Sequence, residues 1–171
     1  MQQVVEFFNH PFFMVVGGIL SLLAVLGIFS TMYLVLKGVV PVWYKLGISL
    51  SKRKIAIFSD EKFNELKDVL IDSGMFHTKN ILKIDKASIK KAAETSFYII
   101  HYLPYKDCID EIISMKKDSD AMVVYAPQDE GFIEKDILNK LNSQRNTIIV
   151  NFRGRLLNDV LVSMITTSFK K

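Results

Sequence analysis

The sequence predicts an α/β protein in which a single N-terminal transmembrane helix precedes a five-stranded parallel sheet layered with helices. Three observations predict it. Residues 12–36 form a run of 25 residues without a charged side chain. Five short Ile/Val/aromatic blocks follow along the rest of the chain. Amphipathic patterns of helical period separate those blocks.

A bilayer core takes roughly 20 apolar residues as a helix, so residues 12–36 suffice to span it with some tilt. Only Ser21, Ser30 and Thr31 interrupt the run, whereas a helix packed in a soluble core would show a polar face. A cleaved signal peptide would bring a basic leader and a shorter apolar stretch. Residues 1–11 hold no Lys or Arg, and Glu6 is their one charged side chain. Beyond the run stand Lys37, Lys45, Lys52, Arg53 and Lys54. The positive-inside rule therefore predicts a single-pass protein of the cell inner membrane, with residues 1–11 outside and everything after Leu36 cytoplasmic.

Within the span, Gly17, Ser21, Ala24, Gly27 and Thr31 are spaced 4, 3, 3 and 4 apart, along one helical face. Ile19, Leu22, Leu23, Leu26 and Phe29 occupy the other. Small residues let helix backbones approach closely in lipid, so this stripe predicts a homo-oligomer. A pore lined by such helices ranks below simple association, because the stripe is barely polar.

Residues 37–53 read as a juxtamembrane segment lying on the headgroups. Trp43 and Tyr44 are interfacial anchors by their chemistry, and Pro41 is expected to end or kink the helix. The net charge of +4 also belongs here. Residues 55–171 hold 17 basic and 17 acidic side chains, and residues 1–54 hold five and one. The excess is a topology signal and an attraction to anionic membrane lipid. It is no footprint for nucleic acid.

The cytoplasmic domain, residues 54–171, is read element by element. Strands are expected at Lys54–Phe58, Asn80–Ile84, Ser96–Tyr102, Ala121–Tyr125 and Thr147–Phe152, several of them continuous apolar blocks suited to burial on both faces. Helices fall between. Phe63, Leu66 and Leu70 share a face before the stop at Ser73-Gly74, and a weaker helix covers Ser88 to Thr95. Ile109, Ile112 and Ile113 mark the next, and Ile133, Ile137, Leu138 and Leu141 another. The last carries Leu157, Val160, Leu161 and Ile165. Right-handed crossovers then give a Rossmann-like sheet in the flavodoxin-like order 2-1-3-4-5. The single cysteine, Cys108, precludes an intrachain disulfide.

Ligands of such sheets bind beyond the carboxyl ends of the strands. The candidates there are Ser59 and Asp60 after strand one, His101 at the end of strand three, Gln128 after strand four, and Asn151, Arg153, Gly154 and Arg155 after strand five. The last group is favoured for a phosphate, since two arginines flank a glycine at a helix start whose N–H groups are free. Pairing of those arginines with Asp129, Glu130 or Asp159 is the structural alternative. There is no GxGxxG or GxxxxGK[ST] motif, and His10, His77, His101 and Cys108 lack metal-site spacing. No cofactor or metal is expected.

Asp60-Glu61 after strand one resembles the acidic pair of response-regulator receiver domains. The places where a receiver carries Asp, Ser/Thr and Lys hold His101, Ala126-Pro127 and Arg153, so the resemblance implies a pseudo-receiver at most. Cys108-Ile-Asp-Glu111 resembles the Cys-x-x-Glu helix start of TIR domains, with Asp107 where a Trp usually stands. That resemblance implies Glu111 as the catalytic residue of an NAD-cleaving enzyme. The preferred expectation is non-enzymatic: a membrane-anchored sensor or effector recognising a phosphate-bearing ligand or a protein partner. In layout it is similar to membrane-tethered effectors of bacterial defence and stress signalling. A plain membrane scaffold is the remaining alternative.

Overall fold

The computed structural model describes residues 10–167, so most of the expected outer segment, residues 1–9, lies outside the described residues. The chain divides into two compact units, Met1–Trp43 and Tyr44–Lys171.

Helix α1 runs from Pro11 to Lys52 and passes through Pro41 without ending there. The juxtamembrane segment is thus helical rather than a break. Proline removes one backbone hydrogen bond from a helix interior, and the 41 other residues of α1 carry it past that defect. Within Pro11–Tyr44 an 18-residue window reaches a mean hydropathy of 2.6, and 0% of that window is buried within the protein. This is the one described helix long and apolar enough to cross a membrane; by length and composition a signal sequence passes the same test.

The second unit is a five-stranded parallel sheet in the order β2-β1-β3-β4-β5. Its strands are β1 (Ile55–Phe58), β2 (Ile81–Ile84), β3 (Phe97–His101), β4 (Ala121–Tyr125) and β5 (Thr147–Val150). The three inner strands are buried throughout, while β2 and β5 at the edges are half-buried. Alternation along each strand sends side chains to opposite faces. Ile55 and Ile57 meet Leu66 and Leu70 of α2 (Phe63–Asp72) and Leu156, Val160 and Met164 of α6 (Arg153–Thr166). Ala56 and Phe58 meet the other layer, built from Ile89 and Ala92 of a 3-10 helix (Lys86–Glu94), Tyr105 of α3 (Tyr102–Tyr105), Ile109 and Ile112 of α4 (Ile109–Met115), and Leu141 of α5 (Lys135–Ser143).

Two local expectations are corrected. The segment at Ser88 to Thr95 is 3-10 rather than α-helical, with non-helical backbone at Ser88. On α6 the buried face is Leu156, Val160, Ser163 and Met164; Leu157 and Leu161 are half-buried and Ile165 is exposed. The buried stripe is offset by about one position from the expected one and ends on Thr167, whose hydroxyl serves a buried arginine. Arg53, 1% exposed, donates from Nη1 to Thr167 Oγ1 at 2.6 Å, from Nη2 to Ser96 O at 2.6 Å and from Nε to Ser96 Oγ at 3.0 Å. Thr167 in turn donates to Ser163 O at 2.6 Å. Hydrophobic periodicity does not reveal a stripe whose far end is polar by design.

Candidate functional site

The strand order changes direction between β1 and β3, so the crevice at their carboxyl ends is where a ligand is expected. In this chain that crevice is filled by its own side chains. Ser59 follows β1 and is 0% exposed, and His101 ends β3 at 3%. His101 Nε2 lies 2.6 Å from Glu130 Oε2, and its Nδ1 lies 3.5 Å from Ser59 Oγ. With Nε2–H donating to the carboxylate, Nδ1 is an acceptor for the Ser59 hydroxyl. Glu130 also pairs with Lys62, whose ammonium sits 5.8 Å from the centre of the Tyr125 ring.

Charge fixes this cluster. Burial alone would raise the Glu130 pKa, but the hydrogen bonds from Lys62 and His101 outweigh it and hold the carboxyl below its ordinary value. Burial works against the Lys62 charge, and the bond to Glu130 with the field of Asp129 more than compensates, raising its pKa. On the other side of β1, Tyr105 donates its hydroxyl to Asp60 Oδ1 at 3.1 Å and Ile84 O at 2.7 Å. Burial first, then the Asp60 bond, pushes that phenol well above its ordinary pKa.

Ser59, His101 and Glu130 have the residue types of a nucleophilic triad without its geometry. The hydroxyl is sealed from solvent and its 3.5 Å contact is long for an O–H···N bond. A nucleophile must reach a substrate carbonyl, so the cluster is a clamp. It ties the loop after β4 to β3 and to the turn after β1.

The pocket lies one strand pair further along. Ala126, Gln128, Gly131, Phe132, Ile133 and Leu138 enclose about 150 Å³ together with Ile149 and Asn151. Gly131 turns the loop with φ +101°, a conformation that L side chains rarely adopt. The turn leaves Phe132 94% exposed at the pocket.

Of the expected ligand residues, the structure brings Gln128 and Asn151 together in this pocket, and joins Ser59 to His101 in the clamp. Asp60 is held by Tyr105. Arg153, Gly154 and Arg155 form the first turn of α6 and do not line the pocket. Arg153 Nε lies 3.3 Å from Glu65, and Arg155 lies 3.8 Å from Asp159, one helical turn on. Glu111 is exposed on α4 and contributes nothing to the pocket. Cys108 caps α4 and packs against the core. Among the described residues no cluster of His, Cys, Asp or Glu could hold a metal.

Lys62 and Phe132 escaped the sequence reading, and Glu130 entered it only as an arginine partner. The signal for Glu130 was present: β3 and β4 are neighbours in the expected strand order, so the acidic loop after β4 falls beside His101. Compared with known proteins, the chain matches no family model, no curated protein and no solved structure.

Proposed function

We propose that the protein is a membrane-tethered, non-enzymatic sensor or effector whose cytoplasmic domain recognises a protein partner through the pocket beside Phe132. The observation that carries the tether is the uncovered apolar surface of α1: none of the described residues covers it, and so large an apolar area is stable only in lipid or against other helices. The cations after residue 36 favour a cytoplasmic domain.

The pocket supports a protein partner over a nucleotide. Small-molecule sites enclose roughly 300–1,000 Å³, and this one holds about 150 Å³, room for a single apolar side chain. Aromatic residues, Phe among them, are enriched in protein interfaces. A phosphate-bearing ligand is the second reading, favoured by the exposure of Arg153 (59%) and Arg155 (70%) at the start of the 14-residue α6. The TIR-like alternative is disfavoured because α4, which carries Glu111, contributes no residue to the pocket.

The test places a photo-crosslinking phenylalanine analogue at Phe132 of the full-length protein in its native membrane. A discrete adduct is expected, and Gln128→Trp, which fills the exposed mouth of the pocket, removes it. An adduct pattern indifferent to Gln128→Trp overturns the pocket reading.

A further inference from the structure

Parallel strands gather all the segments that precede them on one edge of the sheet, and here those segments come from distant parts of the chain. Lys52 and Lys54 flank the entry to β1, and Lys79 precedes β2. Lys116 and Lys117 precede β4, and Arg145 precedes β5. All except the half-buried Lys116 are exposed. Asp72, Glu94 and Asp118 are the exposed carboxylates of the same edge. Asp120 is 5% exposed and is turned inward, accepting the Lys117 N–H at 3.0 Å.

More of the cations at the carboxyl edge are paired than at the amino edge, although Lys86 and Lys135 there are also exposed and in no ion pair among the described residues. At the carboxyl edge Lys62, Lys106, Arg153 and Arg155 each face a carboxylate within the chain. No ion pair among the described residues includes Lys52, Lys54, Lys79, Lys117 or Arg145. Lys116 spends its ammonium on backbone, donating to Arg145 O at 2.6 Å and Lys117 O at 3.3 Å. The loops before β4 and β5 are thereby held together with Lys117 and Arg145 both on the surface. Asn146 strengthens the same junction, with its side chain donating to Asp118 O at 2.7 Å.

We infer that this amino edge is a docking surface for anionic lipid headgroups. The inference rests on the membrane-tether reading. Two residues, Arg53 and Lys54, separate α1 from β1, so the amino edge is the edge at which the chain enters the domain from α1. Exposed Lys and Arg near an anionic leaflet are drawn to it over about a Debye length. Cations without internal partners lose no ion pair on docking. The Phe132 pocket lies at the opposite edge of the sheet.

Amide hydrogen exchange of the full-length protein in lipid nanodiscs tests this. Discs of phosphatidylcholine alone are compared with discs containing about 30% phosphatidylserine, a strongly anionic surface. Exchange in residues 73–80, 115–120 and 143–146 is expected to slow several-fold with phosphatidylserine, while residues 128–134 do not change. The protection is expected to vanish in about 0.5 M salt, where the Debye length shrinks to a few Å. It is also expected to vanish in the triple variant Lys79→Glu, Lys117→Glu, Arg145→Glu but persist in the carboxyl-edge control Lys135→Glu. The neutral set Lys79→Gln, Lys117→Gln, Arg145→Gln guards against misfolding and is expected to lose most of the protection. Retention of the chain in neutral discs with lipid-independent exchange overturns the inference alone. Loss of the chain from neutral discs overturns the tether, and the inference with it. Protection of these loops by an RNA oligonucleotide but not by phosphatidylserine assigns the edge to nucleic acid and overturns the inference.

Discussion

Arg53 Nη1 donates a 2.6 Å hydrogen bond to Thr167 Oγ1, joining the residue that follows the long helix to the residue that ends the last one. The guanidinium also lies 5.3 Å from the centre of the Phe97 ring. Burial lowers its pKa to about 10 despite the nearby Asp120 carboxylate, so it stays charged at neutral pH. A buried charge whose direct hydrogen bonds all go to neutral acceptors is costly to disturb. Arg53→Ala is expected to destabilise the domain by about 2 kcal/mol, the cost of lost hydrogen bonds and packing. The figure sits low in the usual range because Ser96 O keeps a second donor, the Ala121 N–H at 3.2 Å. Arg53→Met is expected to lose less, since an apolar chain covers Phe97 without a desolvated charge. Arg53→Lys cannot reproduce the fork that reaches Ser96 and Thr167 together. Denaturant unfolding of the full-length protein in detergent measures all three.

The Glu130 clamp predicts an acid limit. Its carboxyl pKa is depressed in the folded chain by Lys62 and His101 against the opposing effect of burial. A depressed acid contributes stability that is fully present above its unfolded pKa and lost as pH falls through the folded value. Stability should therefore hold down to the ordinary glutamate value of 4.5 and fall below it. Glu130→Gln, which keeps the shape but not the charge, is expected to lower stability at neutral pH by about 1–2 kcal/mol. It should also flatten the decline between about pH 5 and pH 3. A thermal-melt series across that range, wild type against variant, reads both effects.

Arg153 and Arg155 are expected to be dispensable for folding. Their carboxylate contacts are long and their side chains mostly exposed, and such surface pairs contribute under about 1 kcal/mol. Arg153→Ala with Arg155→Ala should leave the melting temperature within a few degrees of wild type. If inorganic phosphate or ADP stabilises the wild type, the double variant should lose that response. A large drop in melting temperature would instead make the two arginines structural partners of Glu65 and Asp159.

The architecture was legible because its signals are local. Ile55–Phe58 and Ala121–Tyr125 are apolar blocks too short for helices, and Ser73-Gly74 stops α2, with Gly74 at φ +70°. The site was legible only in position. Sequence locates Ser59, His101, Gln128 and Asn151 at strand ends, but not which pairs meet. Whether a strand-end polar group reaches solvent depends on which loops fold over it. Glu130 and Lys62 close over His101, so a catalytic-looking histidine is sealed, while Gly131 turns Phe132 outward and an apolar residue becomes the exposed one. Arg53 is the clearest case. It belongs to a cationic run that reads as a membrane-flank signal, yet its partners lie 43 and 114 residues away, beyond any local pattern.

The stripe on α1 predicts self-association. Gly17, Ser21, Ala24, Gly27 and Thr31 share one face, and a Cβ added at Gly17 or Gly27 meets nothing within 4 Å in the single chain. Larger side chains therefore fit the isolated helix without strain, so any effect of enlarging them comes from a neighbouring helix. Thr31 already donates its hydroxyl to Gly27 O at 2.9 Å, leaving it an acceptor for a partner. Ser21 is then the donor expected to bridge helices, a bond of roughly 1 kcal/mol in lipid. Gly17→Leu with Gly27→Leu is expected to shift the full-length protein in detergent from oligomer toward monomer, read by cross-linking and light scattering. Ser21→Ala should give a smaller shift in the same direction. Unchanged mass in the double Leu variant would mean that the stripe faces lipid and that any self-association resides in residues 44–171.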